Sequence, residues 1–118
     1  MPKLLVVDDE KDVCDFGKNF LEERGYDVLT ASSGDEALVI AKKEKPALVL
    51  LDIKMQGMDG LAALKHLKEL DKNQKVVMVT ALEDRNKMDE ASRLGASEYI
   101  TKPLALDHLE AMVEKMLR

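Results

Sequence analysis

The 118-residue chain contains one cysteine, no tryptophan, two tyrosines and two phenylalanines. Cys14 has no second cysteine to pair with, which excludes a disulfide framework within the chain. So few aromatics leave no stacking platform for single-stranded nucleic acid. Clustered basic charge is also missing. The densest group, Lys42-Lys43 with Lys45, reads as a solvated helix end in a chain of net charge −5. Direct nucleic-acid binding by this chain is therefore not expected. No apolar run approaches the roughly 18 residues of a membrane span. Residues 1–20 carry acids where a secretory leader would be basic and then apolar. These absences favour the cytoplasm and no membrane contact. What remains, 46% hydrophobic and 35% charged, suits one soluble domain over residues 1–118 with a core of its own.

Five apolar runs alternate with helical patterns. The runs are Leu4 to Val7, Tyr26 to Thr30, Ala47 to Leu51, Val76 to Val79 and Glu98 to Thr101. The first, third and fourth are almost continuous in Leu and Val, as strands covered on both faces must be. Val13, Phe16, Gly17, Phe20 and Leu21 form one helical stripe ending near Gly25. Ser33 with Glu36 is a capping-box signature before Ala37, Leu38, Ile40 and Ala41. Asp59 caps the next helix, with Leu61, Leu64 and Leu67, and the last helix carries Leu109, Met112, Val113 and Met116. The fourth helix, near 84–94, offers only Met88, Ala91 and Leu94 to a core, so it is expected to be weakly anchored. This alternation predicts an α/β fold: a doubly wound, flavodoxin-like, five-stranded parallel sheet of order 2-1-3-4-5.

That order has chemical consequences. The carboxyl ends of neighbouring strands one and three bring Asp8, Asp9 and Glu10 towards Asp52. Two unit charges about 4 Å apart repel by about 1 kcal/mol in water and about 4 at an effective dielectric near 20. A hard divalent cation relieves such a cluster, and magnesium, with manganese as the alternative, takes oxygen ligands while keeping exchangeable waters. Lys102 follows strand five and Thr80 ends strand four. A carboxylate nucleophile, a cation site, an ammonium and a hydroxyl are the parts that phosphoryl transfer to an aspartate needs. Cys14, His66 and His108 read as packing or surface residues.

The pieces Val7-Asp8-Asp9, Leu51-Asp52-Ile53-Lys54-Met55, Met58-Asp59-Gly60, Thr80-Ala81, Gly95-Ala96 and Tyr99-Ile100-Thr101-Lys102-Pro103 resemble the receiver domain of two-component response regulators. The resemblance covers essentially the whole chain. It implies phosphorylation at Asp52 and a metal held by Asp8, Asp9, Asp52 and the backbone carbonyl of Lys54. It implies further that Thr80 and Lys102 hold the phosphoryl group, that Tyr99 changes rotamer on activation, and that the bond before Pro103 is cis. The implied donor is a phosphohistidine on a kinase or phosphotransfer protein. The implied receiver of the signal is a protein docking on the face of helix four, strand five and helix five. The family acts as a phosphoacceptor, with self-phosphorylation from small donors and autodephosphorylation, rather than as an enzyme on other substrates. The chain departs from the usual pattern at Gln56, where proline is common; this frees a torsion and adds a donor. The resemblance places Lys54 and Leu82 at positions that tune phosphoryl lifetime in the family.

Three rival readings of the site fit less well. A dehalogenase-type phosphatase expects an acid two residues after its nucleophile, where Lys54 stands. Flavin binding needs a Ser/Thr/Gly-rich loop where Asp8-Asp9-Glu10 would repel phosphate. A degenerate interaction module would lack some of the five functional side chains. As to output, two readings stand: a stand-alone relay or chemotaxis-type regulator, with Met1 as a true start, and an amino-terminal receiver excised from a DNA-binding transcriptional regulator.

Overall fold

The computed structural model describes residues 2–55, 57–80, 85–102 and 105–118. Five strands, β1 (Lys3–Val7), β2 (Asp27–Ala31), β3 (Leu48–Asp52), β4 (Val76–Thr80) and β5 (Glu98–Thr101), alternate with five helices. The helices are α1 (Lys11–Glu23), α2 (Gly34–Glu44), α3 (Gly60–Leu70), α4 (Arg85–Arg93) and α5 (Leu106–Leu117). All strand pairs are parallel and the order is β2-β1-β3-β4-β5, as the alternation predicted. Every residue of β3 and β4 is buried, because helices cover both faces of the sheet. On one face Leu5, Val7, Leu51 and Met78 pack with Ala37, Leu64, Leu67 and Ala91 from α2, α3 and α4. On the other, Leu4, Leu50, Val77 and Ile100 pack with Leu21, Leu109 and Val113 from α1 and α5.

Several local expectations shift. β2 starts at Asp27 because Tyr26 still donates its N–H to the Leu21 carbonyl, closing the turn after α1 around Gly25 at φ 92°. β3 runs on to Asp52, which pairs with Val79, so the acceptor candidate is itself a strand residue. Phe16 is 53% exposed, contrary to its expected place in the α1 stripe. At about 100° per residue the buried face is that of Cys14, Gly17, Phe20 and Leu21, which turns its centre towards Cys14 and leaves Phe16 outside.

The capping signals are realised. Ser33 Oγ accepts from the Glu36 N–H, while Glu36 reaches back to the N–H of Ser32, one residue further out than a standard box. Asp59 Oδ1 accepts from the Ala62 N–H at 2.9 Å. Only Ala91 of α4 is fully buried, with Met88 and Leu94 half-buried, in keeping with the thin stripe.

Candidate functional site

The site is assembled from the backbone ends of β1, β3, β4 and β5. Asp8 follows β1 and is fixed by its N–H to the Ala31 carbonyl at 3.1 Å. Its Oδ1 accepts the Glu10 N–H at 2.9 Å, a side-chain turn that steers the chain into α1. The carboxylates of Asp8, Asp9 and Glu10 offer oxygens that all lie within 4.8 Å of one another; Asp8 is buried and the other two are exposed. Across the sheet, Asp52 is 4% exposed, with Oδ1 accepting the Lys54 N–H at 3.3 Å. Lys102 follows β5, its backbone N–H bound to the Thr80 carbonyl at 2.7 Å. Its ammonium donates to Asp52 Oδ2 at 3.0 Å and stands 3.6 Å from Asp8 Oδ2. Thr80, buried at the end of β4, lies between β3 and β5 in the sheet.

One ammonium thus serves two buried carboxylates. Burial pushes the Asp52 carboxyl above its ordinary range; the hydrogen bond from Lys102 opposes this, and the negative charge of Asp8 adds to it. For Lys102, burial pulls downward, but the bond to Asp52 and the charges of Asp52, Asp8 and Glu10 outweigh it and hold the ammonium above its usual value. The excess of acid over cation contributes to both shifts, second to burial at Asp52 and against burial at Lys102. The donor set is all hard oxygen and under-neutralised, which fits a magnesium-sized divalent ion.

Asp8, Asp9, Asp52, Lys54, Thr80 and Lys102 all lie at the carboxyl-end rim of the sheet. Tyr99 lies apart on β5, 46% exposed and level with Met78. His66 pairs with Glu69 on the outside of α3, and His108 is exposed on α5. Gln56, Ala81, Leu82 and Pro103, with the expected cis bond, lie outside the described residues.

Three residues were missed. Cys14, read from the sequence only as a packing or surface residue, is 5% exposed, and its Sγ lies 3.2 Å from the Asp8 carbonyl. Burial first, then the Asp8 charge, raises the thiol to about 11, so it stays a neutral donor under the acid loop. Gly60 opens α3 against β3: a Cβ there would lie 2.2 Å from the Asp52 carbonyl oxygen and 2.6 Å from Ile53 Cα. Lys87 of α4 joins Asp9, Lys54, Met55 and Asp59 around an open groove of about 380 Å³ beside the acids. The position of Cys14 six residues after Asp8, and the glycine directly after the Asp59 cap of α3, were the available signals.

The profile of the response regulator receiver domain family matches residues 4–114. The chain is 37% identical to sporulation initiation phosphotransferase F of Bacillus subtilis, covering 98% of this chain and 93% of that one. It is 39% identical to the alkaline phosphatase synthesis transcriptional regulatory protein PhoP of the same organism, again over 98% of this chain but only 48% of the relative. In three dimensions it is similar to the chemotaxis protein CheY4 of Vibrio cholerae, with TM-score 0.93, 28% identity and 99% coverage of both chains. A response regulator receiver domain protein from Clostridium thermocellum gives TM-score 0.94 at 31% identity, covering 99% of this chain and 94% of that one. With an acidic strand-end site on a five-stranded sheet of this order, and these relatives along its length, the chain belongs to the response regulator receiver family and is a signalling domain of two-component systems.

Proposed function

We propose that Asp52 is the phosphoryl acceptor of this receiver, and that the whole of residues 1–118 forms the one receiver domain. The observation that carries this is the buried Asp52 carboxylate, set 3.0 Å from Lys102 and beside the Asp8-Asp9-Glu10 oxygens. In the transfer, a carboxylate oxygen of Asp52 attacks the phosphorus of a phosphohistidine on a kinase or phosphotransfer protein. The P–N bond breaks, its electron pair stays on the imidazole nitrogen, and an acyl phosphate forms on Asp52. Asp8, Asp9, Asp52 and the Lys54 backbone carbonyl would hold magnesium, which when bound neutralises charge on the transferring phosphoryl oxygens. Lys102 clamps one such oxygen as a point charge, and Thr80 donates to another. Small donors serve in place of the protein donor, water slowly removes the group, and no other substrate is turned over. The cytoplasm is its compartment; among the described residues no helix is long and apolar enough to cross a membrane.

Asp9 supplies affinity rather than stability in this scheme. It is exposed at the mouth of the cluster, and removing its charge relieves repulsion while deleting a ligand. Asp9→Ala is expected to lose most magnesium binding, measured by titration calorimetry, while its metal-free melting temperature stays at or above that of the wild type. A large loss of metal-free stability would assign Asp9 a structural role instead.

The output runs through Thr80 and Tyr99. Thr80 is buried and Tyr99 has its ring half exposed, on neighbouring strands in register Thr80–Thr101 and Met78–Tyr99. When Thr80 moves towards a phosphoryl oxygen it vacates space into which Tyr99 turns. That reshapes the α4-β5-α5 face for a downstream protein, and α4, held by Ala91 alone among its fully buried residues, shifts with it. Driving such a switch from 1:99 to 99:1 requires about 5.5 kcal/mol of differential contact. Thr80→Ala is expected to accept phosphate yet show only part of the wild-type NMR shift changes in α4 and β5 with a phosphoryl mimic. Identical full changes in both proteins would break the proposed coupling.

A second reading of the output has an observation in its favour: the chain spans about half the length of PhoP, a transcriptional regulatory protein. The domain then acts as the amino-terminal switch of a DNA-binding regulator. The reading frame that surrounds residues 1–118 decides between this and a stand-alone relay.

A further inference from the structure

Some charges on the edges of this fold have partners within the chain. Lys11 pairs with Asp15 and Lys18 with Glu22 along α1, Lys3 reaches Glu44, and Lys115 reaches Glu98. The outer face of α2 is different. Asp35, Val39 and Lys43 are all exposed and stand in one row at a spacing of four. Val39, at the middle of the eleven-residue helix, is 68% exposed, the most exposed large hydrophobic among the described residues. Asp35 and Lys43 form no ion pair among the described residues, and at eight residues apart they lie too far along the helix to reach each other. Beside Val39 an open groove of about 390 Å³ runs between α2 and α3, with Leu38, Met58 and Leu70 on its walls. Leu70 is itself 50% exposed.

An acid, an apolar residue and a base equally spaced on one helix face are complementary to the same row read backwards. At about 1.5 Å per residue, Asp35 and Lys43 each lie about 6 Å from Val39 along the axis. A two-fold axis through Val39 sets the acid of one helix against the base of the other, twice over, with the two valines between them.

We infer that α2 is a self-association face, on which a second copy of this chain docks antiparallel, Val39 against Val39 and Asp35 against Lys43. The contact is isologous, so it closes at a dimer and does not propagate. The valines and the flanking α2–α3 groove supply the buried apolar surface. The two exposed ion pairs contribute little energy and set the register. The face lies apart from the Asp52 site and from α4-β5-α5, so both stay open in the dimer.

The test is sedimentation equilibrium of the unphosphorylated full chain over a series reaching millimolar concentration. Wild type is expected to show a monomer–dimer equilibrium that weakens as salt is raised. Val39→Asp should weaken the dimer at least about tenfold, whereas Phe16→Asp, an exposed apolar site on α1, should leave it unchanged. Lys43→Asp should also weaken it, and Asp35→Lys with Lys43→Asp in one chain should restore it, since both crossed pairs are re-formed. Thermal melts followed by circular dichroism confirm that each variant is folded. A wild type that stays monomeric throughout, a dimer insensitive to Val39→Asp, or a double variant no better than Lys43→Asp would each overturn the inference.

Discussion

Asp52→Asn is expected to abolish phosphoryl acceptance while leaving the metal-free protein at least as stable as wild type. The asparagine keeps an oxygen for the Lys54 N–H, now 3.3 Å from Oδ1, and loses the nucleophilic carboxylate. Lys102 loses its 3.0 Å partner but retains Asp8 at 3.6 Å. On stability, the direction follows from the raised carboxyl. Burial makes the ionised Asp52 less favourable in the folded chain than in the unfolded one, despite Lys102. Such a group stabilises fully below its unfolded titration, and that contribution is lost as pH rises through the folded one. Wild type should therefore lose stability across the window above the ordinary carboxylate range, and Asp52→Asn should lack that component of the pH dependence. Chemical denaturation of both proteins over this window, without metal, gives the comparison. A variant much less stable than wild type at neutral pH would mean that the Asp52–Lys102 pair outweighs the burial of the charge.

The second large effect is structural. Gly60→Ala should destabilise the domain by about 1–3 kcal/mol or more, the range for forcing atoms into a packed interior. The added Cβ would sit 2.2 Å from the Asp52 carbonyl oxygen and 2.6 Å from Ile53 Cα, both backbone atoms that no rotamer change can move aside. The close approach exists because the Gly60 N–H donates to the Ile53 carbonyl at 2.8 Å, tying the start of α3 to the end of β3. Relief of the clash must displace either α3 or the segment carrying Asp52, so phosphorylation should slow along with the loss of stability. Gly57, with a φ of 74° but nothing near a built Cβ, provides the contrast. Gly57→Ala is strained only by its left-handed backbone and should leave the phosphorylation rate closer to wild type. Urea denaturation with a phosphorylation time course on each variant separates the two cases.

The sheet order was legible because β3 and β4 are nearly continuous Val and Leu runs, as strands covered on both faces must be. Asp8, Asp52, Thr80 and Lys102 were legible for a related reason: in such a sheet the strand ends meet at one rim, so each needed only a position after an apolar run. Gly60 was not legible as a necessity, since a glycine at a helix start is common and the distance to β3 belongs to the tertiary structure. Phe16 and Cys14 exchanged roles for a geometric reason. A stripe read from spacing has an uncertain centre, and rotating it by less than half of one residue's turn buries the cysteine and exposes the ring. Tyr99 shows the same limit. Alternation places it on β5, but burial cannot be read from a four-residue edge strand.

The central claim is that phosphoryl transfer ends on Asp52 and requires a divalent cation. Wild-type protein would be incubated with a small acyl-phosphate donor, with magnesium or with a chelator, and the product reduced by borohydride, which converts an aspartyl phosphate into homoserine. Peptide mapping by mass spectrometry should then find homoserine at position 52 alone, and only in the magnesium sample. Homoserine at any other aspartate, or equal conversion in the presence of chelator, would contradict the account.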